Sequence, residues 1–429
     1  MTSFVRSVVV RKRPARTPAR LVAAALVVSA MGAARAEPAW TRIAGTQPGG
    51  NSVVQTGSAA DEIRANLKRI RLPPGFTIEL YALVPDARHM AVAPGTDTLF
   101  VGTQTGAVWV VTHRAGAAPA VAAFVPSERF VNPNGVCFAG DGTLVVAQRN
   151  RVSRYRVDGS WNDPANVARA DILAQGQLLP SDEEATGHSA RTCRVGPDNK
   201  VYVTIGEPFN VQPRAKVERY RALGIGGIVR FDLDGTKREV YATGLRNSVG
   251  QDFNPKDGTL WFTDNQTDNL GDDQPPGELD HATKPGQDFG YPYWCGHVKV
   301  AGSPVARDLA DLPEPADAVF PQAEFPAHQA QLGMTFYEGT MFPAPYRGGI
   351  FVAAHGSWNR TVSTGALVDF VPLVTNAKAG ASVVFAQGFR RDDGTYWGRP
   401  VDVATMRDGS LLVSDDTAGA VYRVTYKSP

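Results

Sequence analysis

Six times along this chain a turn residue leads into a short β-rich run, and this recurrence constrains the fold more than any other feature. The copies are Asp97-Thr98-Leu99-Phe100-Val101, Gly142-Thr143-Leu144-Val145-Val146, Asn199-Lys200-Val201-Tyr202-Val203, Gly258-Thr259-Leu260-Trp261-Phe262, Gly349-Ile350-Phe351-Val352 and Gly409-Ser410-Leu411-Leu412-Val413. Another strand-like segment precedes each copy. Most are followed by a third, such as Val152-Ser153-Arg154-Tyr155 or Val421-Tyr422-Arg423-Val424. Antiparallel units of this size, repeated regularly, predict an all-β fold, a six-bladed β-propeller, because no single blade buries both its faces and the blades must stack. The 43 glycines and 31 prolines agree, being more than a helical bundle tolerates. With 43% hydrophobic residues the chain is not intrinsically disordered. A pair of β-sandwiches would not require six similar units.

The copies lie about 44 to 61 residues apart, except for a gap near 90 between the fourth and fifth. The excess falls in Asp264–Gln331, rich in Asp, Pro and Gly. Insertions on propellers map to loops at one face, often the ligand face. Residues 61–429 are therefore read as the propeller domain, with a short amphipathic helix expected from Asp61 to Arg71. Residues 37–60, rich in Gly, Ser and Thr, read as a flexible leader.

Residues 1–36 read as a signal peptide. A basic run to Arg20 precedes about 14 apolar residues, Leu21 to Ala34, and an Ala34-Arg35-Ala36 cleavage site. That apolar stretch is short of the roughly 20 residues a membrane-spanning helix needs, and no other stretch is long enough to span a membrane. The expectation is a mature chain without a membrane span, in the periplasm or secreted. The formal charge of +2 changes on cleavage. Seven of the 44 basic residues are lost and no acid, leaving 37 against 42, a net −5. That balance disfavours nucleic acid as a partner. Cys137, Cys193 and Cys295 form an odd set, so at least one is unpaired and the pairing is open. No Cys-x-x-Cys-His haem motif and no zinc spacing occur.

The innermost strand of each blade lines the channel, so polar residues at its start converge on the axis. Here those positions hold Arg88-His89, Asn134, His188, Arg246-Asn247, Gln331 and Arg399. Buried Arg and His are tolerated only with partners or a ligand. Three of these residues are cationic, which points to a ligand with carboxylates, phosphates or polarised carbonyls.

At these positions the chain resembles a known family. Thr186-Gly187-His188 with Gly196-Pro197-Asp198-Asn199-Lys200 through Thr204-Ile205-Gly206-Glu207 is similar to soluble quinoprotein glucose dehydrogenases and related sorbosone and aldose sugar dehydrogenases. Gly244-Leu245-Arg246-Asn247-Ser248-Val249-Gly250 matches the same family, and His355-Gly356-Ser357-Trp358-Asn359-Arg360 resembles its sorbosone dehydrogenase branch. Arg399-Pro400-Val401-Asp402-Val403 and Ser414-Asp415-Asp416-Thr417-Ala418-Gly419 complete the set.

The resemblance implies pyrroloquinoline quinone (PQQ) near the axis, with calcium (Ca2+), and oxidation of a sugar or sugar aldehyde. His188 would be the base taking the substrate hydroxyl proton while hydride passes to the quinone C5, a role suited to neutral imidazole. Glu207, where the glucose enzymes have Asp, would place its carboxylate on the far ring nitrogen. Arg246 would polarise the quinone carbonyl, with Asn247 beside it, and Arg399 would clamp a cofactor carboxylate. His355, Trp358, Arg360 and Gln331 would complete the cofactor contacts. Where the glucose enzymes carry a second Arg, this chain has Val401. The run Asp264-Asn265-Gln266-Thr267-Asp268-Asn269, with Gly271-Asp272-Asp273 and Glu278, suits calcium, with backbone carbonyls of Gln266 and Thr267 as ligands. Electrons would pass to an external acceptor, a cytochrome or quinone. Two other classes stay open, a propeller lactonase or esterase and a non-catalytic sugar-binding propeller. The axial cations argue against the first, because Arg beside a metal is repulsive, and the second leaves those cations unexplained.

Overall fold

The computed structural model describes residues 39–46, 52–113 and 118–428. Six sheets of four or five strands form the blades of a propeller. Their first strands, in chain order, are Met90–Val92, Gly135–Phe138, Cys193–Val195, Gly250–Phe253, Gln331–Phe336 and Pro400–Thr405.

The recurring motif is the turn between the first and second strands of a blade. In Asp141-Gly142-Thr143, Asp257-Gly258-Thr259 and Asp408-Gly409-Ser410 the Asp Oδ1 accepts the backbone N–H two residues on, at 3.0, 3.0 and 2.9 Å. The intervening glycines sit at φ 81°, 71° and 84°, a left-handed conformation open to a residue without Cβ. Asn199 fills that place in blade 3 at φ 58°. Each of these glycine turns feeds a second strand, Leu144–Gln148, Leu260–Asp264 or Leu411–Asp415, that is buried along its whole length. A strand covered on both faces carries a nearly continuous apolar run.

The core lies between adjoining blades. One cluster joins Cys137 and Val145 of blade 2 to Val201, Val203 and Phe231 of blade 3. Each large side chain so buried contributes about 1.5–3 kcal/mol. Cys137 and Cys193 form a disulfide between the first strands of these two blades, with Cα atoms 5.8 Å apart. Cys295 is unpaired and buried.

The ring is closed by a strand from outside the repeat. Phe76–Leu83 pairs antiparallel with the C-terminal strand Ala420–Tyr426, from Phe76↔Tyr426 to Leu83↔Ala420. The N-terminal part of the chain thereby completes blade 6 and joins the two ends of the propeller. The helix expected at Asp61–Arg71 spans Ser58–Leu67 and seats Ala60, Ile63 and Leu67 against blades 5 and 6.

Within the expected leader, two short described segments are strands. Thr41–Ala44 pairs with Asn166–Leu173 of blade 2, and Ser52–Val53 with Ala120–Ala123 of blade 1. Both add a fifth strand at a blade's outer edge, where unpaired N–H and C=O groups offer a ladder to any extended segment. The expected signal peptide lies outside the described residues. Among the described residues no helix is long and apolar enough to cross a membrane.

Candidate active site

Successive strands of a blade run antiparallel, so the loops before the first strand and after the second open on the same face. On that face lies a cleft with a cavity volume of about 140 Å³. His188 precedes the first strand of blade 3, and Arg246 and Asn247 precede that of blade 4. Asn265, Gln266 and Asp268 follow the second strand of blade 4. Trp358 and Asn359 follow that of blade 5, while Gln331 begins the first strand of the same blade. The insertion Asp264–Gln331 supplies much of the wall, including Pro275, Pro276, Gly277, His328 and Ala330.

His188 is held in the left-handed region at φ 45°, and His328 and Ala330 across the cleft sit at 65° and 56°. Such strain in non-glycine residues persists only where the surroundings enforce it, and it clusters at functional sites. The His188 Nδ1–H donates to the backbone carbonyl of Glu207, which leaves Nε2 as the basic nitrogen. Burial first, then the Arg246 guanidinium, bring the His188 pKa down to about 4, so the ring is neutral at physiological pH. The Glu207 carboxylate has a different place from the one expected. Its Oε1 accepts from the Phe209 N–H at 2.7 Å, its Oε2 is buried without a partner, and burial raises its pKa to about 7. The main chain of Glu207, rather than its side chain, orients the ring.

Arg246 is buried in a shell of acceptors. Nε donates to Asn210 O at 2.9 Å and Nη1 to Asn265 O at 3.2 Å. Nη2 donates to Asn210 Oδ1 and Asp268 Oδ2, both at 3.0 Å. Four of the five guanidinium hydrogens are thus engaged, and one on Nη1 has no partner among the described residues. Asp264 organises the turn below, accepting from the N–H groups of Arg246 and Asn247 at 2.9 and 2.8 Å, from Ser248 Oγ at 2.9 Å and from Gln266 Nε2 at 2.8 Å. Asn359 Nδ2 donates to Asp268 Oδ1 at 2.8 Å, which ties the blade 5 loop to the insertion. Beside it Trp358 is 74% exposed at the cleft mouth.

Of the residues expected at the site, His188, Arg246, Asn247, Gln266, Gln331 and Trp358 line this cleft together. Arg399, His355 and Arg360 are engaged elsewhere. Arg399 donates to the carbonyls of His355 and Gly356 at 2.9 and 2.6 Å. His355 Nε2 meets Asp416 Oδ1 at 2.9 Å, and Asp416 also pairs with Arg88. Arg360 Nη1 donates to the carbonyls of Asp272 and Ala327, pinning the insertion loop. The axial cations are therefore largely neutralised within the chain, Arg88 by Asp416 and Arg246 by Asp268. Asn210, Asp264, Asp268, His328 and Asn359 carry much of the site without having been assigned roles in it. Asp264, Asp268 and Asn359 stand inside quoted motifs, whereas Asn210 and His328 lie in stretches without a pattern to mark them.

Four buried amide oxygens of the lining residues, on Asn247, Gln266, Gln331 and Asn359, have no hydrogen-bond partner among the described residues. Unpaired buried polar atoms are costly, so a wall that gathers four of them fits an oxygen-rich ligand or a hard cation. The free Arg246 hydrogen fits a ligand carbonyl. Among the described residues no group of three or more His, Cys, Asp or Glu is arranged to hold a metal. The calcium contacts expected of Gln266 and Thr267 are main-chain carbonyls and do not depend on such a group.

Comparison with known proteins gives the same architecture. The holo pyranose dehydrogenase PQQ domain from Coprinopsis cinerea is 18% identical, covers 88% of this chain and 99% of its own, and superposes with a TM-score of 0.66. The calcium structure of the Trichoderma reesei carbohydrate-active enzyme of family AA12 is 19% identical over 84% of this chain and 97% of its own, TM-score 0.65. The apo soluble aldose sugar dehydrogenase of Escherichia coli is 20% identical over 82% of this chain and 100% of its own, TM-score 0.52. At these identities the likeness is one of fold. Sequence carries it further. An uncharacterised protein of Borreliella burgdorferi is 30% identical over 378 residues, 86% of this chain and 93% of the other. The profile described as "Glucose / Sorbosone dehydrogenase" matches residues 136–423. That span takes in five of the six blades and both His188 and Arg246, and by it the chain belongs to the glucose/sorbosone dehydrogenase family.

Proposed function

We propose that the protein is a PQQ- and calcium-dependent dehydrogenase that oxidises an aldose or sugar aldehyde and passes the electrons to an external acceptor, a cytochrome or quinone. The observation that carries this reading is the pairing, on one cleft wall, of a neutral His188 with free Nε2 and an Arg246 with one N–H unspent. When bound, the quinone supplies the acceptor for hydride. The protein's own groups do the rest. His188 Nε2 takes the proton of the substrate hydroxyl, and its Nδ1–H, anchored on the Glu207 carbonyl, keeps the ring in that tautomer. Arg246 and Asn247 hold an oxygen that gains negative charge, the guanidinium already fixed by its four other hydrogen bonds. The main-chain carbonyls of Gln266 and Thr267, with the unpaired Gln266 Oε1 beside them, would hold calcium. Trp358, exposed at the mouth, would contact the ligand. The signal expected in residues 1–36 would carry the enzyme to the periplasm or beyond the cell.

The test is an absorbance titration of purified protein with PQQ, with and without calcium, followed by aldose-dependent dye reduction. Chelation should abolish dye reduction, and calcium plus quinone should restore it. Full activity in quinone-free enzyme, or lactone hydrolysis without dye reduction, would end this reading.

A further inference from the structure

The most deeply engaged group beside His188 is one to which neither the motifs nor the cleft lining draw attention. Arg191 lies three residues after His188, is 2% exposed, and is absent from the cleft wall. Its Nη1 donates to the backbone carbonyl of His188 at 2.9 Å. Its Nε donates to the carbonyl of Arg149 in blade 2 at 3.1 Å. Its own carbonyl accepts from Asn134 Nδ2 at 2.8 Å, and Asn134 Oδ1 accepts from Arg88 Nε at 2.8 Å. A buried guanidinium is costly unless its hydrogens are used. Here one of them holds the carbonyl of His188, whose φ of 45° an L residue rarely adopts, and another holds that of Arg149.

We infer that Arg191 is the positioning residue for His188, clamping the strained His188 peptide to blade 2 so that the imidazole meets the Glu207 carbonyl on one side and the cleft on the other. The inference rests on His188 being the base. Two holds act on that residue, Glu207 O on the ring and Arg191 on the backbone carbonyl. Arg191 reaches no ligand, so its effect passes entirely through His188.

The same placement has an electrostatic consequence. His188 is faced by Arg246 and Asp268 from blade 4, by Glu207 from blade 3 and by Arg191 from its own loop. Arg191 is in turn faced by Arg149 and Glu184. Burial is the largest cause of the low His188 pKa, and Arg191 and Arg246 push it the same way while Asp268 opposes. Removing the Arg191 charge therefore lets imidazolium form at higher pH.

The test uses Arg191→Met and Arg191→Lys in the whole chain. It reads histidine NMR titration of the quinone-free protein, with His188 assigned by comparison with His188→Ala, together with thermal melting, quinone affinity and kcat with KM. In Arg191→Met the His188 midpoint should move up from about 4, and kcat should fall about 10- to 100-fold, the cost of a misplaced base. Quinone affinity should stay within about twofold. Arg191→Lys, which keeps the charge and loses the fork, should leave the midpoint in place and lower kcat several-fold. An unmoved His188 midpoint in a folded Arg191→Met, or an undiminished kcat in Arg191→Lys, overturns the inference. If Arg191→Met does not fold, the kcat of Arg191→Lys decides alone. If His188→Ala itself retains full turnover, the base reading fails, while the NMR midpoint still reports whether Arg191 governs His188.

Discussion

At the scale of single residues the proposed function rests on one neutral imidazole, His188. His188→Ala should lower kcat by about 10²–10⁴ while quinone binding is kept, the usual worth of a general base. Turnover within a few-fold of the parent would make His188 structural. Its folded pKa of about 4 lies below the ordinary value of 6.5, so the unfolded chain binds the extra proton first. The stability this neutral ring contributes is present above about pH 6.5 and is lost as pH falls toward 4. The acid limb of kcat/KM should fall in the same region. Val401 invites a second test. The resemblance would put a second Arg there, yet Val401 packs with Val249 and Leu332 at 2% exposure. Leu332 lines the cleft, so these three form an apolar layer beside its floor. Val401→Arg would force a charge into that layer, with an overpacking cost of about 1–3 kcal/mol and a further desolvation penalty. We expect a lower Tm and no gain in quinone affinity. Tighter quinone binding at unchanged Tm would show that residue 401 reaches the ligand.

At the scale of elements, the site is made by loops held at both ends by buried strands. The His188 loop leads into Cys193–Val195, whose first residue is bonded covalently to Cys137 across 56 residues of sequence. A cross-link closing a loop of that length stabilises by roughly 2–5 kcal/mol, chiefly by restricting the unfolded chain. Cys137→Ser should therefore shift the denaturant midpoint downward by the equivalent amount. Because the bond lies five residues from the base, kcat should fall as well. A midpoint and kcat both equal to the parent's would mean that packing of Val145, Val201 and Val203 alone holds the two strands. The insertion was legible as an element, since its length and its Asp and Pro content mark a loop at the ligand face. Its clasp to the blade 5 loop through Asn359 and Asp268 was not, because that contact joins side chains 91 residues apart.

At the scale of the whole molecule, the propeller depends on a strand that the repeat does not contain. Phe76–Leu83 completes blade 6, and the helix before it lies over blades 5 and 6. A chain starting at Val84 would leave Ala420–Tyr426 an unpaired edge, and edges of that kind template aggregation. Losing Phe76 and Leu83 from the core costs about 3–6 kcal/mol by burial alone. Such a chain should melt markedly lower and aggregate on heating. A melting curve identical to that of the full chain would place closure of the ring elsewhere.

Much of this protein is determined by neighbours in sequence. An Asp-Gly-Thr or Asp-Gly-Ser turn needs only three consecutive residues, and the apolar run behind it must be covered on both faces. Three of the six units carry that turn, and six β-rich units in a row leave little choice but a propeller. The same reasoning brings His188, Arg246, Asn247, Gln266, Gln331 and Trp358 to one end of the channel, because strand direction decides which loops share a face. Only the tertiary structure decided what those residues do with their charges and hydrogens. Arg246 finds Asn210 and Asp268, 36 and 22 residues away, and Arg88 finds Asp416 at a distance of 328 residues. Glu207 turns its carboxylate from His188 and offers its carbonyl, which every residue type possesses. Turns and blades are encoded locally because backbone geometry is local. The partner of a buried polar group is whichever group the packed loops bring within 3 Å or so, and that depends on the whole ring having closed.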